Sequence, residues 1–237
     1  MLKYLRTKGK GITVYFFFLI ALLVFIYSIL LGCELFDKWF GILAGVLLTI
    51  IAVFCHFFLG RKTFLGHLLS FLLNTIGAGF SASAYYTVKA VNCRLDLLAW
   101  GLIPAALLML VVSLLMVVLR ENKHILIVVF ALVEVGLIIT SIVFWVKLGG
   151  EIFANMFFSL VLASFYIAVL AVTVDSDERT TMRDCSFGSY GFYLVVTVVV
   201  IAILLGAMGC DDCSCDGCDC SGCCDCDTSS NNKKKIK

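Results

Sequence analysis

Long apolar runs dominate this sequence and restrict its possible folds more than any other feature. A helix needs about 20 mainly apolar residues to cross the roughly 30 Å hydrocarbon core of a bilayer. Seven runs reach that length, at approximately 12–32, 40–60, 64–86, 97–119, 124–147, 151–174 and 190–209. Lipid offers no partner for backbone N–H and C=O groups, so spans of this length are expected to be helical. The sequence predicts an all-α integral membrane protein, a bundle of about seven transmembrane helices.

Composition and loop length narrow the classes of function. Hydrophobic residues make up 62% of the chain and charged residues 14%, against about 25% charged in soluble domains. A net charge of +2 provides no basic field for nucleic acid. The longest predicted loop, 175–189, is too short for a soluble catalytic domain, and no HExxH or GxSxG motif occurs. We therefore predict a membrane domain over 1–209 that is not an enzyme, followed by a tail over 210–237.

The distribution of lysine and arginine predicts the orientation, because cytoplasmic loops retain these residues. The N-terminus and the even-numbered loops contain ten: Lys3, Arg6, Lys8, Lys10, Arg61, Lys62, Arg120, Lys123, Arg179 and Arg183. The odd-numbered loops contain four: Lys38, Lys89, Arg94 and Lys147. This asymmetry predicts a cytoplasmic N-terminus and a tail on the outer side.

The first 33 residues permit a second interpretation. A basic start, an apolar run and the sequence LLGC at Leu30–Cys33 resemble the lipobox of bacterial lipoproteins, in which Cys33 would become the lipidated first residue. The apolar run of about 20 residues exceeds the 7–15 typical of a signal-peptide core, which favours a retained span. Cleavage of residues 1–32 would leave six spans.

The tail contains eight cysteines and six aspartates within 209–227. The segments CDDCS, CDGCD and CSGCC repeat the pattern CxxCx, whose spacing resembles that of metallothioneins. Neighbouring thiolates at this spacing suit zinc or copper(I). The candidate metal ligands are Cys210, Cys213, Cys215, Cys218, Cys220, Cys223, Cys224 and Cys226. With almost no apolar side chains, this tail is expected to be disordered until it is metallated or cross-linked.

Two other chemistries for the tail stay open. An even number of cysteines in an oxidising compartment suits disulfides, and cysteines beside a membrane also suit S-acylation. Cys33 and Cys93, in the first and third loops, form a further candidate disulfide on the outer side.

Polar residues inside the predicted spans are the candidates for a transport pathway. Glu134 is the only carboxylate near the middle of a span, and a charge at that depth costs roughly 3 kcal/mol. Asn74 lies at mid-depth in the third span. Asn155, Ser159 and Ser164 line part of the sixth span, broadly on one side of the helix. These side chains could face Glu134 across a polar pathway. Interhelical hydrogen bonds, with a protonated glutamic acid, are the alternative.

Glycine spacing predicts where helices approach closely. Gly41 and Gly45 have GxxxG spacing in the second span, and Gly77 and Gly79 lie in a run of small residues in the third. We expect these faces to form either a tight contact between the two spans or a homo-oligomer interface.

The histidines give a weaker signal. His56, His67 and His124 all fall at predicted cytoplasmic span ends, and their spacing matches no known ligand motif. With Cys55 and Cys185 they could form a soft-metal site, but we expect them to make solvent or backbone contacts instead.

Two functional hypotheses follow. The first is a multi-pass membrane protein that transports, senses or buffers a soft metal ion, zinc or copper(I), through the thiolate-rich tail and the intramembrane carboxylate. The second is a non-catalytic membrane scaffold whose tail forms disulfides or is acylated.

Overall fold

The computed structural model describes residues 2–37, 39–60, 63–88, 95–119, 122–148, 150–174 and 178–208. Within these ranges all elements of regular secondary structure are helices, and no strand occurs. The helices are α1 (Leu2–Leu35), α2 (Phe40–Phe54, continued by a π-helical turn over Cys55–Gly60), α3 (Phe64–Val88), α4 (Leu95–Val118), α5 (Lys123–Leu148), α6 (Gly150–Thr173) and α7 (Glu178–Met208). The predicted all-α class is confirmed, and each of the seven predicted apolar runs coincides with one of these helices over most of its length.

Five of these helices are long and apolar enough to cross a membrane, namely α1, α2, α3, α4 and α7. In α5 and α6 the apolar stretches of described residues are shorter, His124–Thr140 and Phe157–Thr173. The chain is therefore a multi-pass membrane protein with five candidate spans. A count of seven spans stays a prediction for α5 and α6.

The predicted loop over 175–189 is wrong for most of its length. Helix α7 begins at Glu178, twelve residues before the predicted span, and its apolar segment covers Thr180–Leu205. Three polar residues within the predicted loop are buried: Thr181, Ser186 and Ser189 are each at most 2% exposed. Hydrogen bonds and packing inside the bundle replace the water that these side chains would otherwise need.

Helix α1 lies in the middle of the bundle and packs against α3, α4, α6 and α7. Its Phe25 ring contacts Phe158 of α6 and Phe192 of α7 edge to face, with centroids 6.3 and 5.0 Å apart. Gly79 of α3 provides a close approach to α1, because a Cβ there would lie 2.9 Å from the Phe25 carbonyl oxygen. Removal of residues 1–32 would take away this central element.

The predicted glycine contact between α2 and α3 is confirmed. A Cβ at Gly41 would lie 2.6 Å from the Phe80 carbonyl oxygen, and one at Gly45 would lie 2.6 Å from the Gly77 carbonyl oxygen. These distances are too short for any side chain, so glycine lets the two backbones touch. The alternative prediction, a homo-oligomer interface through these glycines, stays a prediction.

A buried lysine of α1 forms a hydrogen bond with the C-terminal end of α6. Lys10 is 4% exposed, and its Nζ donates a hydrogen bond of 3.1 Å to the carbonyl oxygen of Thr173, the last residue of α6. A cation at a helix C-terminus satisfies a carbonyl that has no partner within the helix and opposes the negative end of the helix dipole.

We expect Lys10→Met to lower the free energy of unfolding by about 1 kcal/mol, because it keeps the aliphatic packing and removes the charged donor. Thermal unfolding in detergent, followed by circular dichroism, measures the change. Thr13→Val on the same helix is the matched control, since the exposed Thr13 hydroxyl bonds the Gly9 carbonyl oxygen of its own helix. Equal melting temperatures for the two variants would contradict a fastening role for Lys10.

Candidate functional site

The α2 helix ends in a π-helical turn, Cys55–Gly60, in which each N–H bonds five residues back. Such turns are rare and frequently occur at functional sites. His56 lies in this turn and is 7% exposed, with its ring against His67 of α3 and Phe187 of α7. The expectation that His56 contacts solvent is therefore wrong, because α3 and α7 cover it.

Ser186 of α7 connects His56 to α3. Its Oγ lies 3.4 Å from His56 Nδ1 and donates a hydrogen bond of 3.2 Å to Ser70 Oγ. The Ser70 hydroxyl is in turn 2.7 Å from the hydroxyl of Tyr190. Ser70 and Ser186 are fully buried. A continuous hydrogen-bonded chain thus runs from the imidazole through two serines to a tyrosine.

Asn74 adds a branch one turn deeper. Its Nδ2 donates to Ser189 Oγ at 3.4 Å, and its side chain also interacts with the Tyr190 hydroxyl. Ser189 Oγ donates to the Ser186 carbonyl oxygen at 2.6 Å, which fixes it as the acceptor from Asn74. Asn74 is fully buried, and its Oδ1 has no hydrogen-bond partner among the described residues.

Three further hydroxyls continue this polar face toward the other end of the bundle. Thr49 of α2, Ser81 of α3 and Thr197 of α7 each place a buried oxygen that has no partner in the described ranges. Thr49 and Ser81 both lie beside the contact of Gly45 with Gly77, and Thr197 follows one turn after Tyr193, whose ring lies beside Gly77.

We call the whole set the polar seam. It consists of Thr49, His56, His67, Ser70, Asn74, Ser81, Ser186, Ser189, Tyr190 and Thr197. On α3 its members recur at intervals of three, four and seven residues, so they share one helix face. From His67 to Ser81 this face covers about 21 Å at 1.5 Å per residue, most of the roughly 30 Å hydrocarbon core.

The predicted pathway residues are only partly brought together. Glu134 of α5 accepts a hydrogen bond from Ser164 of α6, and its Oε1 is buried without a partner in the described part of the chain. Helix α5 packs mainly on α6, whereas Asn74 lies between α3 and α7. Asn155 lies on α6, but its side chain is outside the described set. The predicted contact of Ser164 with Glu134 is present, and Asn74 belongs to a different interface.

The predicted metal ligands and the candidate disulfide cannot be placed in the same way. All eight tail cysteines lie outside the described residues, as does Cys93, while Cys33 lies half-buried near the end of α1. Among the residues that are described, no group of three or more His, Cys, Asp or Glu side chains is positioned to hold a metal ion. The tail metal site and the disulfide therefore stay predictions.

No family model, curated protein or solved structure matches this chain. The functional argument consequently depends on the geometry of the seam and on the chemistry of the sequence.

Most of the seam was not identified from sequence. Asn74 was singled out, but the serines of α7 were assigned to a loop and His56 to the membrane surface. The sequence of α3 does contain a pattern that indicates a polar helix face, because positions 67, 70, 74, 77 and 81 are all polar or glycine. The matching face of α7 could be found only once the start of that helix was known.

Proposed function

We propose that this protein transports a soft metal ion, zinc or copper(I), across the membrane along the polar seam. The observation that carries the proposal is the row of buried polar side chains that covers about 21 Å of α3, several of whose oxygens have no partner among the described residues. Polar groups are costly inside a bilayer and usually line the path of an ion or a polar solute.

The chemistry of the seam supports passage more than storage. Serine, threonine and asparagine oxygens bind soft ions weakly, and conduction requires sites that an ion can leave as well as enter. Thiolates bind the same ions tightly. We therefore assign selectivity and capture to the eight cysteines of the tail, and movement through the membrane to the seam.

Metal uptake by proteoliposomes tests this proposal. We expect wild-type protein to carry zinc or copper(I) into vesicles that contain a metal-responsive dye, under reducing conditions. Asn74→Leu is expected to reduce the initial rate at least tenfold, because it replaces the mid-depth polar group with an apolar one of similar size. Serine at all eight tail cysteines is expected to raise the metal concentration needed for half-maximal uptake.

Glu134→Gln is the matched control, since it changes a mid-span polar group outside the seam. Unchanged uptake in this variant with loss in Asn74→Leu supports the seam, whereas the reverse pattern would move the path to the interface of α5 and α6. Size-exclusion profiles establish that each variant is folded. If wild-type vesicles took up no metal, we would abandon transport in favour of the scaffold hypothesis.

A further inference from the structure

Two imidazoles lie together at the predicted cytoplasmic end of the seam. The rings of His56 and His67 have centroids 5.0 Å apart with an interplanar angle of 62°. His67 Nδ1 is buried and has no hydrogen-bond partner among the residues described. The transport proposal does not use either ring.

Ser186 connects the imidazole pair to the rest of the polar seam. Its Oγ lies 3.4 Å from His56 Nδ1 and 3.2 Å from Ser70 Oγ. Both ring nitrogens of a protonated histidine carry hydrogen and act as donors. In the charged state His56 Nδ1 therefore donates to Ser186 Oγ, and the second N–H of the ring is at Nε2.

The surroundings of the pair suit a single positive charge. Phe57, Phe187 and Tyr190 all meet the His56 ring nearly edge to face at 4.9–6.0 Å, and aromatic faces attract cations. The described titratable or charged neighbours are Cys55 of the π-helical turn and, on α7, Tyr190 and Arg183.

Arg183 limits the positive charge that the pair can hold. Its guanidinium is 5.6 Å from the Phe187 ring centroid, so one cation already lies beside the site. The next residue of α7, Asp184, interacts with Cys185 of the same helix. A second proton on the pair would add like charge beside an arginine, which electrostatics opposes.

We infer that His56 and His67 form a proton-binding pair that takes up one shared proton. In this proposal, His56 Nδ1–H of the charged state donates to Ser186 and the Nε2 proton is shared with the His67 ring, whose centroid lies 5.0 Å away. Sharing spreads the charge over two rings and lowers the cost of keeping a cation in the bilayer. No bond other than N–H forms or breaks, and the proton comes from and returns to solvent.

One part of this inference rests on the proposed function. The pair can couple proton binding to transport only if the polar seam carries an ion. The binding of the proton itself does not require a transported ion. A titration of the pair without metal therefore separates the two claims.

Nuclear magnetic resonance of full-length protein in nanodiscs, with ¹⁵N-labelled histidine, tests the pair. The chain has only three histidines, and the exposed His124 of α5 is an internal reference. Across the range of an ordinary imidazole, about pH 5–8, we expect His56 and His67 to shift with one common midpoint and to bind one proton together. A ¹⁵N–¹⁵N coupling between the rings should appear in the charged state.

The variant His67→Gln sharpens the test. We expect this variant to move the titration midpoint of His56 by about one pH unit, because two ionisable groups that share a site interact by about that much. The titration curve of His124 should not change. The pair would be refuted if His56 and His67 of the wild-type protein titrated with separate midpoints, bound two protons and showed no ¹⁵N–¹⁵N coupling. This conclusion would hold whether or not the protein takes up metal. A coupled pair in protein that carries no metal would leave the pair standing and refute transport alone.

Discussion

Replacing Gly45 by alanine is expected to lower the free energy of unfolding by about 1–3 kcal/mol, the range for overpacking a well-packed interior. The new Cβ would overlap Ser81 Oγ and would lie 2.6 Å from the Gly77 carbonyl oxygen. Backbone atoms cannot rotate away as a flexible side chain does, so α2 must move off α3. Thermal unfolding in detergent, followed by circular dichroism, measures the loss.

Gly136→Ala supplies the matched control for this change. A Cβ at Gly136 would meet no described atom within 4 Å, and alanine is preferred over glycine in a helix by up to about 1 kcal/mol. The same chemical change should therefore destabilise at position 45 and be neutral or stabilising at position 136. Equal effects at both positions would show that the contact of α2 with α3 does not depend on glycine.

Thr197→Val is expected to make the folded protein more stable and the transporter less active. Valine has almost the shape of threonine and removes a buried hydroxyl that has no partner among the described residues. Burial of an unpaired polar group costs about 1–3 kcal/mol, so its removal should raise the melting temperature. If ions pass along the seam, the same change should lower initial metal uptake by proteoliposomes at least tenfold.

A stabilising change that removes activity would identify Thr197 as a residue kept for function. Thr140→Val is the control, because the Thr140 hydroxyl bonds the Gly136 carbonyl oxygen of its own helix on α5, outside the seam. We expect it to leave uptake unchanged. A Thr197→Val protein with lower stability and normal uptake would assign the hydroxyl a structural role and remove it from the path.

The helices themselves were predictable because lipid imposes strong local constraints. A run of about 20 apolar residues has few alternatives to a membrane-spanning helix, and the expected bounds agree with those of α2 to α6 within a few residues. The contact of Gly41 and Gly45 with α3 was also predictable, since the spacing places both glycines on one face of α2.

The polar residues were harder to assign, because their role depends on which helix covers them. Ser186 and Ser189 are polar residues at the end of a predicted loop, but the structure buries them in α7, where Ser186 donates to Ser70 and Ser189 accepts from Asn74 of α3. His56 similarly lies near the end of a span and is covered by His67 of α3 and by Phe187 of α7, which is more than a hundred positions away. No window of sequence contains such partners.

By itself, the sequence determined that this chain is a multi-pass membrane protein with close glycine contacts and a cysteine-rich tail, because hydrophobicity, helix periodicity and residue spacing are local properties. The tertiary structure decided which polar groups meet. It separated Asn74 from Glu134 and joined two imidazoles to three serines and a tyrosine through contacts between α2, α3 and α7. Such pairings depend on how helices pack against one another, and interhelical packing is a property of the whole bundle.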